Sequence, residues 1–241
     1  MNFCTQPSVR VLVTGFGPFP GVERNASASV VHALTLSAVP PGIELFARVI
    51  PVEWTQARAV AREAIAWARP DAILHFGVTK RAAGFEIETR AINMSGPKQD
   101  RAGIARPGMP LARSAAPVLH GTLPPPALLR ALRLQGFPAQ LSRNAGRYLC
   151  NALYYWSLAD AGTGGALVSF VHMPAIGIEV PAKTCLTFED AVAGAHVLVR
   201  ASAQAVLCAK QKVTCKDGGP KSHGSQAFRG ARRGGRASWS R

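Results

Sequence analysis

Short apolar runs of strand length alternate with stretches of helical periodicity over most of this 241-residue chain. The alternation predicts strands at residues 9–13, 43–52, 72–77, 138–141 and 166–171, and helices at residues 26–36, 55–69, 126–135 and 188–208. This order is typical of an α/β protein, in which helices cover a parallel or mixed sheet. The chain shows no internal repeat and no second core, so we predict a single catalytic domain over residues 1–209.

One segment breaks the alternation. Residues 98–126 are rich in Pro, Gly, Arg and Ala and have little periodicity. They predict a long excursion from the sheet, which could contain a hairpin or contact another subunit.

The positive charge of the chain is concentrated at its C-terminal end. The formal net charge is +15, and nine of the 28 basic residues, but only one of the 13 acidic residues, lie in residues 210–241. This Gly/Arg-rich segment has few aliphatic residues to bury, so we predict a disordered tail. A nucleic-acid-binding protein that uses the tail is the non-enzymatic alternative, but the low basicity of the rest of the chain makes nucleic acid an unlikely partner.

The cysteines and the hydrophobic runs narrow the class of protein further. Five cysteines show no CxxC pair and no zinc-like spacing with the histidines, so we expect reduced thiols and no metal site. The first eight residues lack a charged segment followed by an apolar one, and no apolar run approaches the roughly 20 residues that span a bilayer. We therefore expect a cytoplasmic protein with no membrane segment.

A candidate nucleophile lies at position 150. Cys150 follows the turn-prone residues 144–146 and opens a segment, residues 150–156, that predicts a helix. Free backbone N–H groups and the positive end of the helix dipole favour a thiolate there, which is the nucleophilic form of cysteine. His172 follows the apolar run 166–171, so it stands at the end of a predicted buried strand, well placed to meet a helix N-terminus.

A cysteine hydrolase also needs a group that orients the histidine. Two carboxylates, Glu86 and Glu88, lie in a strand-sized element after the predicted central strand. Side chains two residues apart share one face of a strand. The spacing therefore leaves both carboxylates open as the orienting acid.

Four segments of the chain resemble the pyroglutamyl peptidase I family, also called pyrrolidone-carboxylate peptidase. They are residues 15–19 (GFGPF), 88–93 (ETRAIN), 144–151 (NAGRYLCN) and 170–174 (FVHMP). The resemblance covers about residues 9–208 and implies a three-layer α/β/α sandwich, with a twisted mixed sheet covered by helices on both faces. It also implies a cysteine peptidase that removes an N-terminal pyroglutamyl (5-oxoprolyl) residue from peptides, without a metal or organic cofactor, and that forms homodimers or homotetramers.

The resemblance also assigns roles to residues. It places the nucleophile at Cys150, the general base at His172 and the orienting acid at Glu88, because Glu88 stands five residues before Asn93 in the family motif. It places four residues around the lactam ring of the substrate, namely Phe16, Phe19, Tyr148 and Leu149.

Three departures from the family pattern concern the substrate pocket. Gly17 and Val78 stand where the family often has Asp and Gln, and residues 96–103 replace a stretch that carries an arginine. Lys98 or Arg101 could substitute for that arginine, although lysine lacks its forked set of donors. The alternative function is therefore a hydrolase of the same fold, or an inactive paralogue, with an altered pocket.

Overall fold

The computed structural model describes residues 8–19, 21–161, 165–176 and 186–217. Within these ranges the strands are β1 (Val9–Phe16), β2 (Ile43–Ile50), β3 (Ala72–Thr79), β4 (Phe85–Glu88), β5 (Arg90–Ile92), β6 (Val118–His120), β7 (Ala139–Ser142) and β8 (Leu167–Pro174). The helices are α1 (Ala26–Leu36), α2 (Ala57–Ala68), α3 (Pro125–Leu134), α4 (Leu149–Ala161) and α5 (Phe188–Asp217). The alternation predicted from the sequence is confirmed.

The main sheet has six strands in the order β2-β1-β3-β8-β4-β7. Strands β2, β1, β3 and β8 are parallel, whereas β4 runs antiparallel to β8 and parallel to β7. The sheet is therefore mixed, as predicted. The reversal at β4 brings a strand of opposite direction beside the carboxyl-terminal half of β8.

Each face of the sheet has its own hydrophobic core. Val11 and Val13 of β1 pack with α1, α3 and α5 on one face. Leu12 and Phe16 point the other way and pack with α2 and α4. This follows from the two-residue period of a strand, which sends successive side chains to opposite faces. The result is the three-layer α/β/α sandwich that the resemblance implied.

The turn between β1 and α1 depends on close packing at Gly15. Asn25 caps α1, because its side chain accepts a hydrogen bond from Ser27 N at 3.1 Å. A Cβ atom at Gly15 would lie 2.4 Å from the backbone oxygen of Ser27. The first turn of α1 can therefore approach β1 only because residue 15 has no side chain.

The predicted excursion follows β5 and contains one strand, β6. Strands β5 and β6 pair antiparallel, with Ala91 opposite Leu119, and the chain between them crosses above α4. Asn93 holds this loop, because its side chain accepts hydrogen bonds from Leu111 N and Ala112 N and donates one to Ala112 O. Only β6 lies within residues 98–126, so the hairpin expected inside the excursion is not formed, and the expected contact with another subunit stays a prediction.

Helix α5 is longer and more apolar than the sequence analysis allowed. By length and composition alone, its residues Phe188–Lys212 would suffice to cross a membrane, but half of the most apolar window is buried inside the protein. Ala191, Ala195 and Leu198 are fully covered by the core. The hydropathy of α5 is therefore explained by packing within the sandwich.

The predicted tail begins inside this helix. Helix α5 continues through Lys210, whose ammonium pairs with Asp71 Oδ1 at 2.7 Å, and ends at Asp217. Residues 218–241 lie outside the described part of the chain, so the prediction of a disordered tail stays a prediction.

Replacing Gly15 by Ala should destabilise the protein, because the new methyl group meets backbone atoms that cannot move aside without displacing α1. We expect Gly15→Ala to lower the free energy of unfolding by about 3 kcal/mol, measured by urea denaturation. Gly17→Ala is the matched control, since a Cβ there meets nothing closer than 3.7 Å. Equal stability of the two variants would contradict this packing argument.

Candidate active site

A buried ion pair lies where β4 and β8 run side by side. Glu88 pairs with Phe170 across the two strands, so Glu88 and His172 share the face of the sheet that carries α4. Nδ1–H of His172 donates to Glu88 Oε1 at 2.8 Å. Glu88 is 0% exposed and His172 is 6% exposed. The carboxylate thus fixes the orientation of the imidazole in a site that excludes most water.

The structure distinguishes between the two carboxylates that the spacing left open. Glu86 stands directly opposite His172 in the strand pairing, but its carboxylate is half-buried and accepts a hydrogen bond from Gln140 Nε2 at 2.8 Å. Glu88 lies deeper, and its second oxygen, Oε2, has no hydrogen-bond partner in the described part of the chain. Only Glu88 contacts the imidazole, as the family resemblance implied.

Cys150 reaches the same imidazole from the start of α4. Cys150 and His172 border the same groove, and the thiol acts on the pKa of His172, whose Nε2 is the ring nitrogen left free by Glu88. Gly77 of β3, which pairs with His172 in the sheet, makes room for this approach. A Cβ atom at Gly77 would lie 3.3 Å from Cys150 Sγ and 2.8 Å from the ring of Phe170.

The first turn of α4 is fixed by the residue that follows Cys150. The side chain of Asn151 accepts a hydrogen bond from Ile92 N and donates one to Ile92 O, both at 2.9 Å. The backbone N–H of Ala152 donates to Tyr148 O at 3.0 Å. The N–H groups before Ala152 have no acceptor within the helix, so the helix start offers donors beside Cys150.

The charges around His172 favour its protonated form. Burial lowers the pKa of His172, but the hydrogen bonds and charges of Cys150 and Glu88 outweigh burial and raise the pKa to about 10. An imidazolium between two acidic partners is therefore the stable form at neutral pH. Such a group can give its proton to a leaving amine.

A second buried histidine holds α4 on the sheet. His75 of β3 shares hydrogen bonds with Thr14 Oγ1, 2.7 Å from Nδ1, and with Ser157 Oγ, 2.9 Å from Nε2. Burial lowers the pKa of His75 to about 3, so the ring is neutral. This neutral histidine links β1, β3 and the helix that carries Cys150.

Cys150 lies between a small cavity and an open groove. The cavity is bounded by Phe16, Phe19, Asn25, Val52, Val78, Lys98, Tyr148, Leu149 and Cys150. The groove also contains Val78, Lys98, Tyr148 and Cys150, and adds His172, Glu86 and Arg81 among its polar residues. All four residues expected around the lactam ring therefore border the cavity. Of the two candidate substitutes for the family's arginine, Lys98 borders it and Arg101 does not.

Three cavity residues were not predicted as site residues from the sequence. Asn25 directly precedes a predicted helix, Val52 stands at the end of a predicted strand, and Val78 was noted only as a departure from the family. The carboxyl ends of neighbouring parallel strands meet at one edge of a sheet, where α/β proteins bind ligands. Val52 follows β2 and Val78 ends β3 at that edge, so the strand order was the missing signal.

The described residues offer no evident metal site. No group of three or more His, Cys, Asp or Glu side chains within the described ranges is arranged to hold a metal ion. Of the Lys, Arg, His, Asp and Glu side chains, Lys98 borders the cavity, and Arg81, Glu86, Lys98 and His172 border the groove.

Comparisons with known proteins agree on one family. Residues 9–205 match the sequence model of the family described as pyroglutamyl peptidase. A pyrrolidone-carboxylate peptidase of Pyrococcus furiosus is 32% identical over 172 residues, which cover 70% of this chain and 82% of the relative. One from Thermococcus onnurineus is 30% identical and is covered over its full length by 82% of this chain.

The fold is similar to solved structures that carry the same names. A mutant pyrrolidone carboxyl peptidase of Pyrococcus furiosus superposes with a TM-score of 0.75 at 27% identity, covering 81% of this chain and 99% of that one. Pyroglutamyl peptidase I of Bacillus amyloliquefaciens, at 24% identity, shares the fold with the same TM-score, over 80% of this chain and 96% of that one.

The raised pKa of His172 predicts a specific pH dependence of stability. Because the folded-state pKa is about 10 and the ordinary value is 6.5, the stabilisation is complete below pH 6.5 and is lost as the pH rises to 10. The difference in unfolding free energy between the wild type and His172→Gln should therefore shrink from about pH 6 to about pH 10, measured by urea denaturation. The exposed control His32→Gln should show no such trend, and a constant difference for His172→Gln would refute the raised pKa.

Proposed function

As a member of the pyroglutamyl peptidase family, this chain is a cysteine-type hydrolase, and we propose that Cys150, His172 and Glu88 catalyse the removal of N-terminal pyroglutamyl residues. The observation that carries the proposal is the hydrogen bond from His172 to Glu88, together with Cys150 at the start of α4 beside the same imidazole. It supplies a nucleophile, a proton carrier and an orienting acid.

The first half of the reaction forms an acyl-enzyme. The Cys150 thiolate attacks the carbonyl carbon of the pyroglutamyl residue, and the carbonyl oxygen gains a negative charge that backbone N–H groups at the start of α4 stabilise. As the C–N bond breaks, His172 gives its Nε2 proton to the leaving amine. The pyroglutamyl group is then held on Cys150 as a thioester.

The second half returns the enzyme to its starting state. Neutral His172 takes a proton from a water molecule, which attacks the thioester and releases pyroglutamate. The proton stays on His172 and the electron pair of the C–S bond returns to Cys150, which restores the thiolate–imidazolium pair. Glu88 keeps Nδ1 protonated throughout, so that Nε2 always faces the reacting atoms.

The two spaces beside Cys150 fit the two sides of the scissile bond. The cavity is small, is walled mainly by apolar side chains and suits one small uncharged ring. The groove is larger, open and polar, and suits a peptide chain that continues beyond the scissile bond. This arrangement supports removal of a single N-terminal residue. The substrate class is therefore N-terminally pyroglutamylated peptides.

Three further expectations stay predictions from the sequence. They are the cytoplasmic location, assembly into a homodimer or homotetramer, and the absence of a cofactor. The alternative of a same-fold hydrolase with another N-acyl substrate is favoured by one observation, the lysine at position 98 beside the cavity.

Replacing the nucleophile tests the proposal directly. We expect Cys150→Ala to lower the rate of pyroglutamyl-coumarin amide hydrolysis by at least about 10⁴-fold, because Cys150 is the thiol that lies beside His172. Cys208→Ala is the matched control, since Cys208 lies on the distant helix α5. Activity retained by Cys150→Ala would overturn the proposal. Prolyl and alanyl coumarin amides, assayed in parallel, would reveal a different substrate class.

The two neighbouring glutamates offer a second test. Glu88→Gln should lower kcat by about 10²–10⁴-fold, because an amide does not stabilise the imidazolium and does not fix its tautomer. Glu86→Gln, a substitution of the same kind two residues away, should change kcat by less than about threefold, since its carboxylate bonds Gln140 rather than His172. Equal losses for the two variants would rule out a distinct role for Glu88.

A further inference from the structure

Lys98 brings a cation to the rim of the substrate cavity. Its Nζ lies 4.7 Å from the ring centre of Phe19 and 4.7 Å from that of Tyr148. The two rings come from different parts of the chain, one from the loop after β1 and the other from the residue before α4. The ammonium therefore bridges two walls of the cavity.

The loop that carries Lys98 is held in place by buried hydrogen bonds. Asp100 is 1% exposed, and its carboxylate accepts hydrogen bonds from Trp54 N, Ala102 N and Ile104 N at 2.8–2.9 Å. Tyr148 Oη donates to Gln99 O at 2.9 Å. Lys98 is thus followed directly by two anchored residues, although its own side chain is exposed.

The donors of Lys98 are available to a ligand. None of the ion pairs between described residues includes Lys98. Burial and the charges of Asp100 and Cys150 raise the pKa of Tyr148 to about 12, so its ring is neutral beside the ammonium. The two contacts of Lys98 are therefore with ring faces, which leave its N–H groups free to donate.

A pyroglutamyl ring needs such a donor. Its carbonyl oxygen would lose its water in a cavity walled by Phe16, Phe19 and Val52, and an unpaired buried acceptor is costly. Asn25, the other polar side chain of the wall, already donates to Gly17 O and accepts from the N–H and hydroxyl of Ser27. The ammonium of Lys98, in contrast, has all of its N–H groups free to donate.

We propose that the ammonium of Lys98 donates a hydrogen bond to the ring carbonyl oxygen of the pyroglutamyl residue and so determines specificity for a lactam. The inference rests on the proposed function and adds the group that recognises the ring. Lys98 binds the ring rather than the reacting carbonyl, because its ammonium lies against Phe19 and Tyr148 whereas Cys150 Sγ lies against Gly77.

The test compares Lys98→Met, which keeps the length of the side chain but removes the cation, with Lys98→Arg, which keeps a cation and its donors. Lys80→Met is the control, since Lys80 is an exposed lysine outside the residues that border the cavity. Two quantities are measured, the kinetic constants for pyroglutamyl-coumarin amide and the affinity for 2-pyrrolidinone. The affinity for 2-pyrrolidinone is measured from the protection of Cys150 against alkylation by iodoacetamide, so this measurement does not require turnover. Because 2-pyrrolidinone has the lactam ring but no scissile carbonyl, it reports ring contacts alone.

We expect Lys98→Met to raise KM and to weaken 2-pyrrolidinone binding in parallel, each by about 10- to 100-fold, with Lys98→Arg largely restoring both and Lys80→Met changing neither. A fall in kcat with unchanged 2-pyrrolidinone binding would place Lys98 at the reacting carbonyl and overturn the inference. Unchanged values in Lys98→Met would also overturn it. Failure of the wild type to hydrolyse the amide would instead count against the proposed function, while 2-pyrrolidinone protection would still test the lactam contact.

Discussion

The antiparallel placement of β4 between β8 and β7 is the constraint on which the site depends. It sets Glu88 two residue pairs along the ladder from His172 and on the same sheet face, deep enough that the carboxylate loses contact with water. A buried carboxylate is costly unless a cation compensates it, and His172 is the cation that Glu88 contacts. The same pair thus stabilises the imidazolium and fixes its orientation. The Glu88–His172 pair therefore contributes both to the stability of the fold and to the chemistry of the site.

The remaining parts of the site are arranged around that pair by packing. Gly77 lets the thiol of Cys150 approach β3, Asn151 fixes the first turn of α4 against β5, and His75 holds the same helix through Ser157. Two of these contacts tie α4 to β3 and the third ties it to β5. The position of Cys150 relative to His172 is therefore set by rigid elements rather than by a loop, as precise catalysis requires.

Much of this arrangement could be predicted from the sequence, because strand and helix periodicities are local properties. Cys150 and His172 stood at a predicted helix start and a predicted strand end, where the structure brings them together. The choice between Glu86 and Glu88 was beyond local reasoning, since both share a strand face and only the register with β8 separates them. The strand order could not be predicted from the sequence either. Without it, Val52 could not be placed beside Phe16 in the cavity wall.

The central claim is that Cys150 carries the pyroglutamyl group during catalysis. The most direct measurement is mass spectrometry of the protein quenched during turnover of a pyroglutamyl p-nitrophenyl ester, whose good leaving group makes thioester hydrolysis the slow step. The account predicts a mass gain of one pyroglutamyl group on the peptide that contains Cys150, formed in a burst of p-nitrophenol release. Turnover without this adduct, or an adduct on another residue, would contradict the account.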